Sequence, residues 1–271
     1  MAVVHVLGSG AAYSDGDRTT TMLALEGPHG IVVVDCGGDV VQRLLAQELD
    51  PLRVTALIVT HEHADHVGGL PLMVERLWVA GRRTPLPVIG IAPAVAQATR
   101  LHESFDTSAW PGYAGIAPQV VPHVADALVL ETADWRITGT PGTHSVPVMG
   151  LRCEAADGSV AAYSCDTTYD PAIVALARDA DLLLHEAAGD EPEIHATACQ
   201  AARVAVEAGA RRLVLVHLPH AFDEHGPEVA CARGRFPRLE IAFDGARYEL
   251  TPETAALGWR AVGASPSHRR A

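Results

Sequence analysis

An α/β fold of two sheets covered by helices is what this chain predicts, on three observations. Its 271 residues are 48% hydrophobic and only 20% charged, enough apolar material for a sizeable core. Ten short apolar runs, most of them bounded by Gly, Pro or Asp, have the length and composition of strands. Four helical patterns fall among them in an irregular order: strands in series, then helices, then strand–helix alternation. A single parallel sheet would alternate throughout.

Taken along the chain, VVHVLG (3–8), TMLALE (21–26) and GIVVVDCG (30–37) open as strands. DVVQRLLAQEL (39–49) has apolar residues at 40, 41, 44, 45 and 49, a helical spacing, with Asp39 as its N-cap. VTALIVT (54–60) is a buried strand that runs into His61. VGGLPLMVERLWVAG (67–81) is a helix closing at Gly81, and PLPVIGI (85–91) is a strand. Residues 100–134 are punctuated by Pro and Gly and carry Phe105, Trp110 and Tyr113. They are expected as a long loop, either a lid or a connection packed on the surface or at a dimer contact. WRITGT (135–140), GLRCEA (150–155) and SVAAYSCD (159–166) are strands. DPAIVALARDA (170–180) opens a helix with Asp then Pro, and DLLLHEA (181–187) is again a strand. ATACQAARVAVEAGA (196–210) is an Ala-rich helix with Gly209 as C-cap, and RLVLVHL (212–218) is the last strand. One domain is expected over 1–258, with a frayed tail at 259–271.

Composition narrows the setting. MAVVHVLGSG lacks a basic start and a cleavage site, and no uninterrupted apolar run approaches the ~18 residues that span a bilayer. The expectation is a cytoplasmic protein without a membrane partner. Cys36, Cys153, Cys165, Cys199 and Cys231 are odd in number, form no CxxC pair and are expected as buried free thiols. The net charge of −13 argues against a general grip on large nucleic acids, which takes clustered Lys and Arg.

Against that background HEHADH, residues 61–66, places three histidines and two acids in six positions. In extended chain His61 and His63 point to one side, and a helix beginning near Asp65 would aim Asp65 and His66 at a neighbouring point. The Gly68–Gly69 pair is expected to let the backbone turn tightly. One local segment rarely wraps an ion alone, so partners are sought at other strand ends. His144, Asp166 and His217 are ligand types standing where strands give way to loops. Seven groups, His61, His63, Asp65, His66, His144, Asp166 and His217, suit two ions, with a carboxylate as bridge. Imidazole and carboxylate favour Zn²⁺ and also fit Mn²⁺ or iron.

HEHADH matches the HxHxDH signature, and the chain resembles the metallo-β-lactamase superfamily. The ordered set HVLGSGAA, VVVDCGG, THEHADHVGGLP, GTHSVPVMGLR, YSCDTTYDPAIVALARDADLLLHEAA and HATACQAARVAVEAGARRLVLVHL is similar to its ribonuclease Z branch. The resemblance implies a four-layer αββα sandwich with the site at one edge between the sheets. It implies one metal on His61, His63, His144 and Asp166, and another on Asp65, His66, Asp166 and His217. Asp35 would orient a ligand histidine. Asp166 stands where β-lactamases of the best-known class carry Cys, which argues against β-lactam hydrolysis. Cys165, one residue earlier, would face away if the strand continues.

The expected activity is hydrolysis by a metal-bridging hydroxide, with a phosphodiester as the best-suited substrate. Asp65 belongs to the catalytic group. His195, in HATA, is the candidate proton donor and Glu186, in HEAA, its orienting partner. Ala188 and Ala196 replace the Thr and Ser of the branch. The tRNA-gripping arm of ribonuclease Z is inserted in many members between the ligands matching His144 and Asp166, and only 21 residues separate those two here. The expectation is therefore a small-molecule substrate, a cyclic nucleotide or aryl phosphodiester. A carboxylic ester, thioester or lactone hydrolase, a tRNA 3′-processing endoribonuclease and a non-catalytic metal-binding protein are the alternatives. The resemblance also implies a homodimer, for which Leu72, Leu77 and Trp78 are weak contact candidates.

Overall fold

The computed structural model of the protein describes residues 1–189 and 193–250. The first sheet holds β1 (Ala2–Gly8), β2 (Met22–Gly27), β3 (Gly30–Val34), β4 (Val54–Val59), β5 (Leu86–Gly90) and β6 (Ile116–Val120), joined at its other edge by β14 (Arg247–Leu250). The order is β14-β1-β2-β3-β4-β5-β6, antiparallel as far as β3 and parallel from β3 to β6. The second sheet holds β7 (Ala127–Glu131), β8 (Trp135–Pro141), β9 (Met149–Ala155), β10 (Val160–Tyr163), β11 (Leu182–Glu186), β12 (Leu213–Val216) and β13 (Leu239–Ile241). It runs in sequence order, antiparallel from β7 to β10 and parallel from β10 to β13.

The parallel strands are near-continuous apolar runs because both their faces are covered. Side-chain alternation in the second sheet shows the layers directly. Ala161, Tyr163, Leu182, Leu184, Val214 and Val216 enter the core shared with the first sheet. Ala162, Leu183, Leu213 and Leu215, one residue out of phase, pack under helices α5 (Pro171–Leu176), α6 (Ala198–Ala208) and α7 (Pro227–Arg235). On the far side α1 (Val40–Ala46), α3 (Leu70–Ala80) and α4 (Ala92–Glu103) contribute Leu44, Met73, Leu77 and Ala94 to the first core. The expected αββα order of layers is present. Among the described residues no helix is long and apolar enough to cross a membrane.

Capping follows the local chemistry. Asp39 accepts from Gln42 N, Asp170 accepts from Ala172 N ahead of Pro171, and Thr197 and Gln200 form a reciprocal capping box. Gly209 closes α6 at a φ of 69°.

Several expectations need correction. Residues 100–134 are not one loop: they complete α4 and include β6 and β7, each the last strand of its sheet. An edge strand pairs on one side only and needs no continuous apolar pattern, and β6 is largely exposed and contains Pro118. Trp110 stacks on Trp78 of α3, and Tyr113 packs on Trp110 and bonds His102 of α4. Of the contact candidates on α3, Leu77 is core, Leu72 is exposed and Trp78 is covered by Trp110. The helix expected over 67–81 is two helices, α2 (Ala64–Val67) and α3, parted at Gly68–Gly69. Gly69 has a φ of −83°, so left-handed freedom is not its use. A Cβ there would lie 2.2 Å from Gly38 O and 2.6 Å from Cys36 O, so the glycine permits close approach of two chain segments.

The cysteines also differ. Cys36, Cys153 and Cys165 are buried and free, but Cys199 of α6 and Cys231 of α7 form a disulfide with their Cα atoms 5.4 Å apart. Their separation of 32 residues hides a pairing that only helix packing creates. The tail at 259–271 lies outside the described residues.

Candidate metal centre

Six strands point their carboxyl ends at one edge of the sandwich, and each supplies a polar residue at or just past its end. They are β3 with Asp35, β4 with His61, β8 with His144, β10 with Asp166, β11 with Glu186 and β12 with His217. Strand carboxyl ends are the usual place for a site in an α/β fold, because the backbone there leaves its ladder and side chains can converge. Three turns at this edge are left-handed without glycine: Asp35 at φ 60°, Cys165 at 56° and His217 at 55°. Each such non-glycine turn costs on the order of 1 kcal/mol or more, and such strain concentrates at functional sites.

All seven sequence-predicted ligands come together. His61, His63 and His144 form one group of mutually close ligand atoms, and Asp65, His66, Asp166 and His217 form another. Asp166 Oδ2 lies between them, 3.8 Å from His61 Nε2, 4.0 Å from His144 Nε2, 3.3 Å from His66 Nε2 and 3.2 Å from His217 Nε2. Asp65 Oδ2 is 3.4 Å from His66 Nε2 and 3.3 Å from His217 Nε2. His63 Nδ1 and His144 Nε2 face each other at 3.3 Å.

The buried atoms fit metal ions better than they fit one another. His61 Nε2, His66 Nε2 and Asp166 Oδ1 are buried without a hydrogen-bond partner, a costly state that a cation would relieve. Meanwhile the opposite ring nitrogens are engaged, which fixes which nitrogen faces the centre. His66 Nδ1 donates to Asp35 Oδ2 at 2.8 Å, His144 Nδ1 to Ile194 O at 2.9 Å, and His61 Nδ1 to Thr60 Oγ1 at 3.2 Å. Thr60 in turn donates from N to Asp35 Oδ1 and from Oγ1 to Asp35 Oδ2, both at 2.8 Å. Fully buried Asp35 thus orients one ligand histidine directly and a second through Thr60. Asp35→Ala is expected to weaken metal binding about 10–100-fold, read by competition with a chromogenic chelator.

Protonation at five of the seven groups favours ligation. Burial, reinforced by His66, holds His61 well below the usual histidine range, and burial together with His144 lowers His63. Burial also lowers His144. Burial by itself would raise Asp65, but hydrogen bonds from His217 and His66 keep its carboxyl below the usual range. Asp166 is likewise held down against burial, by His217 and His66. His66 alone moves upward: burial opposes its charge, yet Asp166 and Asp35 on its two sides favour it.

His195 stands at the open side of this cluster. Its Nδ1 donates to Glu186 Oε1 at 2.8 Å, and its ring lies 5.0 Å from that of His144 and 5.5 Å from that of His217. Glu186 is fully buried and fixed by Thr167 N on Oε1 and Ala188 N on Oε2, each at 2.9 Å. Cys165 does not face away as expected. The strand ends at Tyr163, the chain turns, and Cys165 Sγ comes 3.5 Å from His61 Nδ1. Sequence reasoning did not mark Thr60, whose only signal is its place between a buried strand and the first ligand.

Fold and site together describe a metal-dependent hydrolase. Residues 31–218 match the β-lactamase superfamily domain. The chain is 28% identical to a ribonuclease Z of Methanothermobacter thermautotrophicus, covering 90% of this chain and 95% of that one. It is 33% identical to the ribonuclease Z of Myxococcus xanthus, covering 90% and 96%. Among solved structures, the metallo-β-lactamase fold protein YhfI of Bacillus subtilis superposes with a TM-score of 0.75 at 24% identity, over 91% of this chain and 98% of that one. The chain belongs to the β-lactamase superfamily, in its ribonuclease Z-like branch.

Proposed function

We propose that the protein is a phosphodiesterase acting on a small phosphodiester. The observation that carries this reading is His195, clamped by a buried Glu186 beside two groups of ligand atoms with Asp166 Oδ2 between them. One divalent ion would sit on His61, His63, His144 and Asp166, and the other on Asp65, His66, Asp166 and His217, with Zn²⁺ suited to both sets. When bound, such a pair makes water a nucleophile at neutral pH and neutralises charge on phosphoryl oxygens. The chain's own groups do the rest. Asp65 and Asp166 stay ionised at the centre. His195, its Nδ1 bonded to Glu186 Oε1, gives a proton from Nε2 to the departing oxygen. Glu186 holds the ring so that this nitrogen faces the ligand atoms.

A small substrate is supported by what occupies residues 145–165. Strands β9 and β10 take up most of that interval and are joined by a short turn. The alignments to both ribonuclease Z relatives, 299 and 296 positions long, exceed the whole 271-residue chain, so those relatives carry insertions that it lacks. A second reading, endonucleolytic RNA processing, is favoured by the names of the same two relatives.

One set of assays separates these readings. Bis(4-nitrophenyl) phosphate should be hydrolysed in the presence of Zn²⁺ or Mn²⁺, and His63→Ala should abolish turnover. Cleavage of a precursor tRNA at comparable efficiency would move the assignment to RNA. Activity on a thioester or lactone with none on phosphodiesters would replace it. Full metal loading without any hydrolysis would leave only a metal-binding protein.

A further inference from the structure

We infer that a cleft beside the His195–Glu186 pair is the leaving-group pocket, shaped for an uncharged aromatic alcohol; this rests on the phosphodiesterase reading. The cleft has a volume of about 240 Å³. That is below the roughly 300–1,000 Å³ of pockets that enclose drug-sized ligands, and suits one ring system rather than a polymer.

Its position is set by the catalytic strands themselves. One wall, Ala187–Gly189, begins at the residue after Glu186. The start of α6, Thr197 and Ala198, follows His195 by two residues, and the segment from Pro219 follows His217 by two. Polar atoms of Glu186, His195 and His217 lie within 4.8 Å of one another, so each wall begins within two residues of one of three groups that meet at one point. On this inference a group leaving from phosphorus toward the His195 proton enters this cleft.

The lining is apolar at depth. Ala187, Ala198 and Val229 are buried there, and half-buried Phe222 packs on the second core while lining the cleft. An alcohol with a flat ring can lie against Phe222. On the opposite rim His220 is held in place: its Nδ1 is 2.8 Å from Asp15 Oδ1 and its ring packs on Tyr13 at 4.8 Å. The outer wall is the first turn of α7, tied to α6 by the Cys199–Cys231 disulfide.

Charge decides what is refused. Asp223 and Glu228 line the cleft, no Lys or Arg does, and among the described residues neither acid is in an ion pair. An aromatic leaving group bearing its own carboxylate or phosphate meets like charge without compensation.

The test compares methyl 4-nitrophenyl phosphate with its 3-carboxy-4-nitrophenyl counterpart, using metal-loaded protein. Wild type should favour the uncharged ester. Phe222→Ala should raise KM for that ester about tenfold and change kcat little. Glu228→Lys, on an exposed helix turn, should erase or reverse the preference. Binding of 4-nitrophenol, read by NMR line broadening, should weaken in Phe222→Ala. Turnover with an unchanged KM in Phe222→Ala and an unchanged preference in Glu228→Lys overturns the pocket and leaves the phosphodiesterase reading standing. If neither ester turns over but 4-nitrophenol binds in a Phe222-dependent way, the reaction assignment falls and the aromatic site stands. Absence of both turnover and binding removes both.

Discussion

Asp166→Ala is expected to reduce hydrolysis by at least ~10³-fold and to lower metal content from two ions per chain to less than one. The reason is geometric. Asp166 Oδ2 lies within 4.0 Å of four histidine nitrogens, two from each ligand group. Truncation of a peripheral ligand such as His63 takes one donor from one group. Truncation of Asp166 takes a donor from both, and leaves the two halves without the negative charge between them. Asp166→Asn keeps the shape and should show the same loss of metal. Elemental analysis of the two variants beside wild type decides the matter, since retention of two ions would remove Asp166 from the bridging role. The same geometry gives a pH dependence. Without metal, His66 is charged between Asp166 and Asp35, so a metal must displace that proton. Binding should therefore tighten as pH rises through the raised value of His66 and release protons into the buffer.

His195→Ala is expected to lower kcat by about 10²–10⁴-fold with both ions retained. Separation of these two effects marks His195 as a proton donor rather than a ligand. The loss should depend on the leaving group. Nitrophenolate departs without much help, so the deficit on bis(4-nitrophenyl) phosphate should be smaller than on an ester of an alkyl alcohol. An equal loss on both esters would argue that His195 binds the substrate and gives it no proton. Glu186→Gln, with its oxygen in the Oε1 place, keeps the bonds from Thr167 N and His195 Nδ1, loses the one from Ala188 N, and removes the carboxylate charge beside His195. A smaller loss in kcat than in His195→Ala is expected there, with both ions retained.

Much of this site was legible in the chain. HEHADH stands out because six adjacent positions carry five ionisable groups, and no packed core has a use for them. His144, Asp166 and His217 were found by asking where buried strands hand over to loops. Parallel strands announce themselves because burial on both faces demands continuous apolar runs, as in LVLV of β12. Elements lacking that constraint stayed hidden. Strands β6 and β7 lie at sheet edges and β13 and β14 are short, so their sequences carry little pattern. Thr60 could not be singled out, since its role is a hydrogen bond to a residue 25 positions away. Cys165 was misplaced because its left-handed turn is a tertiary decision, made by the approach of His61.

The chain by itself determined the two-sheet α/β class and the seven ligand-type residues. These are matters of residue type and period, and both are written locally. The tertiary structure alone decided that Asp166 Oδ2 lies between two groups of imidazoles, that Asp35 governs two histidines, and that Cys199 meets Cys231. It also placed an apolar cleft with an acidic rim among the segments that follow Glu186, His195 and His217. Each of these depends on distances between segments far apart in sequence, set when the two sheets pack and six strand ends arrive at one edge.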